Sequence, residues 1–178
     1  MLDTLITSKT RKKLLLKFFL NTTAKAYLRN LEKELDESPN ALRIELNKFE
    51  EAKLLTSYTE GNKKVYQANP QYPLFGEIKS IIMKYVGFDQ IIDKVVDQMG
   101  DLEKVFVTGS FARGINSNII DLIFVGEKIR TDYLVVLIEK AESLIDKRIR
   151  YLTIKPAEVK NFIQPGKQEA LLLWDVKK

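Results

Sequence analysis

Residues 105–127 read VFVTGSFARGINSNIIDLIFVGE, and the second half of the chain is organised around this run. Lys104 to Thr108 has the apolar, β-branched character of a strand, Gly109 and Ser110 form a turn, and Asp121 to Val125 reads as the next strand. Gly109 would let a phosphate approach the backbone. Ser110, at the start of a short helix, would offer its hydroxyl and its N–H to the same anion, with Arg113 adding a fixed positive charge. Downstream, Asp132 to Ile145 has helical periodicity, Arg148 to Ile154 and Ala170 to Val176 read as strands, and a short helix is expected near Ala157 to Phe162. This order predicts a mixed α/β domain of about ninety residues, near the lower end of the usual size for independent folding.

Working outward, the whole chain has 178 residues, with 29 Lys and Arg against 24 Asp and Glu, a formal charge of +5. The excess belongs to one half. Residues 1–86 hold 15 basic and 10 acidic side chains, whereas residues 87–178 hold 14 of each. Such asymmetry favours two domains, with the N-terminal half the partner of a polyanion. The absence of Cys and His excludes disulfide frames, zinc fingers, zinc hydrolases and histidine-dependent triads. No apolar run is long enough to cross a bilayer, so no membrane partner is expected. Arg11, Lys12 and Lys13 ahead of Leu14 to Leu20 imitate a secretory signal, but Lys17 interrupts the apolar stretch; the reading is a cytoplasmic helix whose basic residues stay near solvent.

That first helix, capped by Thr7 or Ser8, carries Leu14, Leu15, Phe18 and Phe19 at helical spacing. A second is predicted over Tyr27 to Leu35, with Leu28, Leu31 and Leu35 on one stripe. The third starts with Ser38 as cap and Pro39 at the first helical position, and runs to about Lys53 with Leu42, Leu46 and Phe49 inward. Asn40, Arg43, Ile44, Asn47 and Lys48 are left on other faces, so amide and guanidinium groups that can read bases face outward. Glu45, Glu50 and Glu51 on the same helix would oppose phosphate. Two strands, Leu54 to Thr59 and Lys63 to Ala68, flank the turn Glu60, Gly61, Asn62, which places Lys63 and Lys64 at the hairpin tip.

Three helices followed by a basic hairpin is the order of a winged helix-turn-helix. The stretch from Ser8 through Ser38 and Pro39 to ELNKFEEAKLLTSYTEGNKKVYQANPQYPLF (residues 45–75) and on to Val86 resembles the winged-helix module of arsenic-repressor-type transcription regulators. That resemblance implies a recognition helix bearing Arg43 and Asn47, a double-stranded DNA partner contacted also by Ser38, Asn40, Lys63 and Lys64, and a homodimer. After the break at Asn69 to Pro73, helices over Leu74 to Val86 and Phe88 to Met99 follow. One of them would form a dimer seam or an interdomain contact, or serve the core of the second domain; the sequence leaves the choice open.

The 105–127 run resembles the signature of minimal nucleotidyltransferases, a branch of the DNA polymerase beta-like nucleotidyltransferase superfamily: strand, Gly-Ser, Ala-Arg-Gly, then Asp-x-Asp on the next strand. The expected fold is therefore α+β, with a winged helix-turn-helix over residues 1–73, a helical linker or dimer region over 74–99, and a nucleotidyltransferase-like domain over 100–178. The resemblance implies a site in which Gly109, Ser110 and Arg113 bind a nucleotide or other anion and acids hold divalent metal. Here the chain departs from the pattern. Ile119 stands where the first acid should be, Asp121 is the only acid retained, and Arg148 to Ile154, where the third would lie, has none. Asp146 precedes that strand by too much to replace it. One acid is insufficient for two-metal transfer, so Asp121 is read as capping a turn or pairing with Arg113. No cofactor is then required; Mg²⁺ and a nucleoside triphosphate would enter only if the site were active. The leading expectation is a DNA-binding transcription regulator whose inactive second domain serves dimerisation or the sensing of a nucleotide effector. The alternatives are an active nucleotidyltransferase that modifies a nucleic acid or partner protein, and an antitoxin-like interaction protein.

Overall fold

The computed structural model describes residues 2–96, 98–99, 101–164 and 169–177. The chain has mixed α and β elements and divides into two compact units, residues 1–85 and 86–178.

In the first unit a short α1 (Leu2–Leu5) precedes α2 (Lys9–Leu15), whose start is capped by Ser8 accepting from the Arg11 N–H. The helix continues over Leu16–Leu20 with π-type winding, which brings seven consecutive residues, Leu14 to Leu20, into the interior. Lys17 is among them. It is only 5% exposed and its ammonium lies 2.7 Å from Glu34, so the expectation that this basic group stays near solvent is corrected: the extra residue per turn rotates it inward and an acid compensates it.

β1 (Lys25–Tyr27), too short to show a period in the sequence, comes next, and α3 (Leu28–Leu35) starts one residue later than the periodicity predicts because Tyr27 is extended. α4 (Pro39–Glu51) begins as predicted, with the Ser38 hydroxyl accepting from the Ala41 N–H at 3.2 Å. β2 (Leu55–Glu60) and β3 (Lys63–Ala68) form the hairpin, and β1 adds to it in the order β1-β3-β2, all antiparallel. Leu14, Phe18, Phe19, Leu31, Leu42, Leu46 and Leu55 are all buried. The amphipathic stripes of α2, α3 and α4 thus meet one face of this small sheet. α5 (Phe75–Val86) follows, and Phe75 packs against Phe19 with ring centroids 5.5 Å apart.

Near the start of the second unit is Gly87, at φ +93°, where a side chain would collide with Ile145. Glycine is required there both by backbone conformation and by that close approach. α6 (Phe88–Ile91), continued in π form over Ile92–Val96, buries Phe88, Ile91, Val95 and Val96 and packs on α8 (Thr131–Ile145). The second of the two helices left open by the sequence is therefore core of this unit. Its sheet has the order β6-β5-β4-β7, built from β4 (Lys104–Thr108), β5 (Ile119–Val125), β6 (Arg148–Ile154) and β7 (Leu171–Asp175). β5 and β6 are parallel, joined by α8; the other pairs are antiparallel. Ile120, Leu122 and Phe124 are buried on one face. On the other, Ile123, Val125 and Ile154 form a smaller cluster with Phe106, Val159 and Ile163, closed by the Pro156–Glu158 turn and α9 (Val159–Phe162).

Candidate functional site

The Gly109–Ser110 turn lies where β4 runs into α7 (Gly109–Ala112), a single helical turn. Gly109 has φ +66°, and a Cβ placed on it would lie 2.5 Å from Asp121 Oδ2. The retained carboxylate thus sits in the space that glycine leaves. Asp121 is there because Thr108, Asp121 and Arg150 occupy one cross-strand row of β4, β5 and β6, with their side chains on the same face.

Across that row Arg150 Nε donates to Asp121 Oδ1 at 2.7 Å. The bond raises the guanidinium pKa further, which leaves the cation permanent. Asp121 thus has a partner in Arg150, on the strand where the resemblance implies a third acid. One row away, Ile119 is in register with Arg148. At the positions where the family pattern implies acids, the chain presents Ile119, one neutralised aspartate and two arginines.

Such a donor set does not fit a divalent metal. An alkyl group cannot ligate, Asp121 already gives an oxygen to a guanidinium, and two permanent cations nearby repel another. Among the described residues no three acidic side chains are grouped closely enough to hold an ion. Ser110 and Arg113 lie at the two ends of α7, with Arg113 Nη2 3.5 Å from Ser110 Oγ. An anion at the turn would have to share it with the Asp121 carboxylate, whose charge Arg150 offsets.

Lys147 was not visible as a site residue in the sequence. Its ammonium donates to Asn116 Oδ1 at 3.2 Å and to the Ser117 carbonyl at 3.1 Å, and lies 5.5 Å from the Phe111 ring centroid. Burial lowers its pKa from 10.5, against a smaller opposing effect of Asp146. The residue fastens the loop after α7 to the end of α8. An open, polar depression of about 700 Å³ adjoins it, lined by Asn118, Glu139, Glu142, Ser143, Asp146, Lys147 and Arg148.

In the first unit, Asn40, Arg43 and Asn47 recur at three- and four-residue spacing along one exposed side of α4. Glu45, expected to oppose phosphate from this helix, is instead buried, held by Arg11 Nε at 2.8 Å and Nη2 at 3.3 Å. The two hairpin lysines diverge, as successive strand residues must. Lys64 turns toward α4 and donates to Glu50 at 2.6 Å, and Ser57 donates to the same carboxylate. These bonds, Lys64's first, hold Glu50 below the usual carboxylate range and raise Lys64 above the usual amine value. Lys63 projects to the opposite face, 4.5 Å from the Tyr27 ring centroid. No helix of the described residues is long and apolar enough to cross a membrane.

No family model matches the chain, and no curated protein matches it significantly. Two solved structures are similar to parts of it. A protein from Archaeoglobus fulgidus is 20% identical over 46% of this chain and 93% of its own, with a TM-score of 0.38. A protein from Sulfolobus solfataricus described as a candidate nucleotidyltransferase is 23% identical over 54% of this chain and 85% of its own, with a TM-score of 0.36. Both TM-scores fall below 0.5.

Proposed function

We propose that this protein is a DNA-binding regulator of transcription, a winged helix-turn-helix joined to a nucleotidyltransferase-like domain that does not transfer nucleotides. The observation that carries the reading is the exposed line of Asn40, Arg43 and Asn47 on α4, a helix whose opposite side is locked into the core by Leu42, Leu46 and Phe49. A rigid helix presenting amide and guanidinium groups at that spacing suits the major groove, where Arg pairs with guanine and Asn with adenine. Glu45 supports the same reading, because it lies buried on the opposite side, paired with Arg11, and so adds no negative charge to the exposed line.

The Asp121–Arg150 bond supports the absence of transfer. In the superfamily that the 105–127 run resembles, transfer depends on two metals clamped by carboxylates, and here the one retained carboxylate is occupied by a cation on the adjacent strand. The second unit is left the roles of dimerisation or of sensing an anionic effector near Ser110 and Arg113.

Protection of genomic fragments by the purified protein, with and without nucleoside triphosphates, tests the reading. Arg43→Ala should weaken binding to the protected site by about 1–3 kcal/mol while leaving non-specific binding nearly unchanged. Label transfer from each triphosphate with Mg²⁺ or Mn²⁺ to DNA, RNA or protein should give no turnover. Turnover that vanishes in Asp121→Ala would overturn the inactive half of the proposal.

A further inference from the structure

The outer face of the β1-β3-β2 sheet is unlike the inner one. Ala26, Leu55, Tyr66 and Ala68 are buried on the inner face. On the outer face Tyr27, Val65 and Tyr58 form one cross-strand row, with Lys25 and Gln67 in the next and Lys63 beyond. Val65 is buried, whereas Lys25, Lys63 and Tyr58 are exposed and Tyr27 and Gln67 are half-exposed. Each lysine lies over a tyrosine of another strand: Lys63 of the central β3 at 4.5 Å from the Tyr27 centroid on β1, and Lys25 of β1, reaching across β3, at 5.6 Å from that of Tyr58 on β2. Two aromatic rings therefore flank a buried valine on an accessible sheet, about two strand spacings or roughly 10 Å apart, each ring covered by an exposed lysine.

We propose that this face binds single-stranded DNA by stacking bases on Tyr27 and Tyr58, with Lys25 and Lys63 taking the phosphates. Aromatics on a sheet are a sequence-tolerant platform for unpaired bases, because every base has a π-face. Stacking of a base on an exposed ring is stronger than an exposed cation–π contact, so a base displaces each lysine, and the released ammonium finds a phosphate. Charge complementarity favours this occupant over an apolar protein surface: the rings are interleaved with lysines, and Glu60, opposite Lys63 in register, is the one acid on the face among the described residues. The choice of DNA over RNA rests on the duplex-reading proposal for α4 in the same unit; the stacking chemistry does not.

The test is anisotropy of a labelled short oligothymidylate against the full chain, beside a labelled duplex. Wild type is expected to bind the oligonucleotide. Tyr27→Leu with Tyr58→Leu should lose roughly tenfold or more in affinity, while Tyr27→Phe with Tyr58→Phe, which keeps both rings, should retain it. Circular dichroism and thermal melting of each variant establish that the fold persists, and the phenylalanine pair keeps the comparison informative should the leucine pair unfold. Arg43→Ala should leave oligothymidylate binding unchanged, so failure of duplex recognition is read separately from failure of the platform. Equal binding by wild type and a folded leucine pair, no binding by wild type, or loss of binding in the folded phenylalanine pair would overturn the proposal. Tighter binding of an oligouridylate would overturn the choice of DNA.

Discussion

At position 109 two constraints coincide. The backbone is left-handed at φ +66°, and the space beside it holds the Asp121 carboxylate, itself fixed by Arg150. Gly109→Ala should therefore cost about 1–3 kcal/mol in urea unfolding, because L residues are strained there and the carboxylate cannot retreat without breaking its ion pair. Adding Asp121→Ala should recover part of that loss, the part due to collision, and leave the part due to the dihedral. A cost no greater than that of an average surface substitution, about 0.5 kcal/mol, would count against this account. The residue pattern made Gly109, Ser110 and Asp121 legible from the sequence, since turn and strand chemistry are local. Arg150 as the partner of Asp121 and Lys147 as the partner of Asn116 and Ser117 were not legible, because parallel pairing of β5 with β6 depends on a fifteen-residue crossover helix that local pattern does not register. The inward turn of Lys17 was hidden for a related reason, since periodicity of 3.6 cannot anticipate a π stretch.

Elements of the first unit are joined by charged groups more than the sequence suggested. Glu50 on α4 holds both Ser57 on β2 and Lys64 on β3, while Glu37 accepts from Thr10 and lies 2.7 Å from the Lys13 ammonium. Both carboxyls are held below their ordinary value of 4.5, Glu37 chiefly by Lys13 and Glu50 chiefly by Lys64. As pH falls through 4.5 the unfolded chain takes up these protons first, so the stabilisation is complete above that pH and is lost as pH falls through the lower folded values. On the other limb, the contribution of the raised Lys64 is full below 10.5 and lost as pH rises beyond it. Melting temperature measured against pH should thus drop on the acid side, and Glu50→Gln should flatten that drop. An unchanged acid limb in the variant would show that the brace from α4 to the hairpin does not contribute. Strands and helices long enough to show a period, such as α4 and the hairpin, were predictable; β1, with three residues, was not, because its pairing with β3 rather than its own composition makes it a strand.

For the whole molecule, the count of 29 Lys and Arg overstates what an anion would meet. Arg11, Lys13, Lys17 and Lys64 are each paired with an acid of the same unit. Lys63→Ala with Lys64→Ala should accordingly lower the slope of log affinity for DNA against log salt by about one unit rather than two, since Lys64 is already neutralised by Glu50. A decrease of two would show that the Lys64 pair opens on the duplex. The proposed two-fold reading of DNA is checked by light scattering at micromolar concentration, where a dimeric mass is expected; a monomeric mass unchanged by DNA would contradict it. The arginine that neutralises Asp121 has a further consequence, which concerns encounters between copies. β6 is an edge of its sheet, and an edge strand offers unpaired N–H and C=O groups to any neighbouring chain. Arg148 and Arg150, with side chains 82% and 69% exposed and each paired with an acid, put charged groups along that edge. Arg150→Val would leave residues 149–154 uncharged, rich in β-formers and free of proline, the composition from which fibrils are templated. The arginine that pairs with Asp121 thus also keeps the sheet from growing.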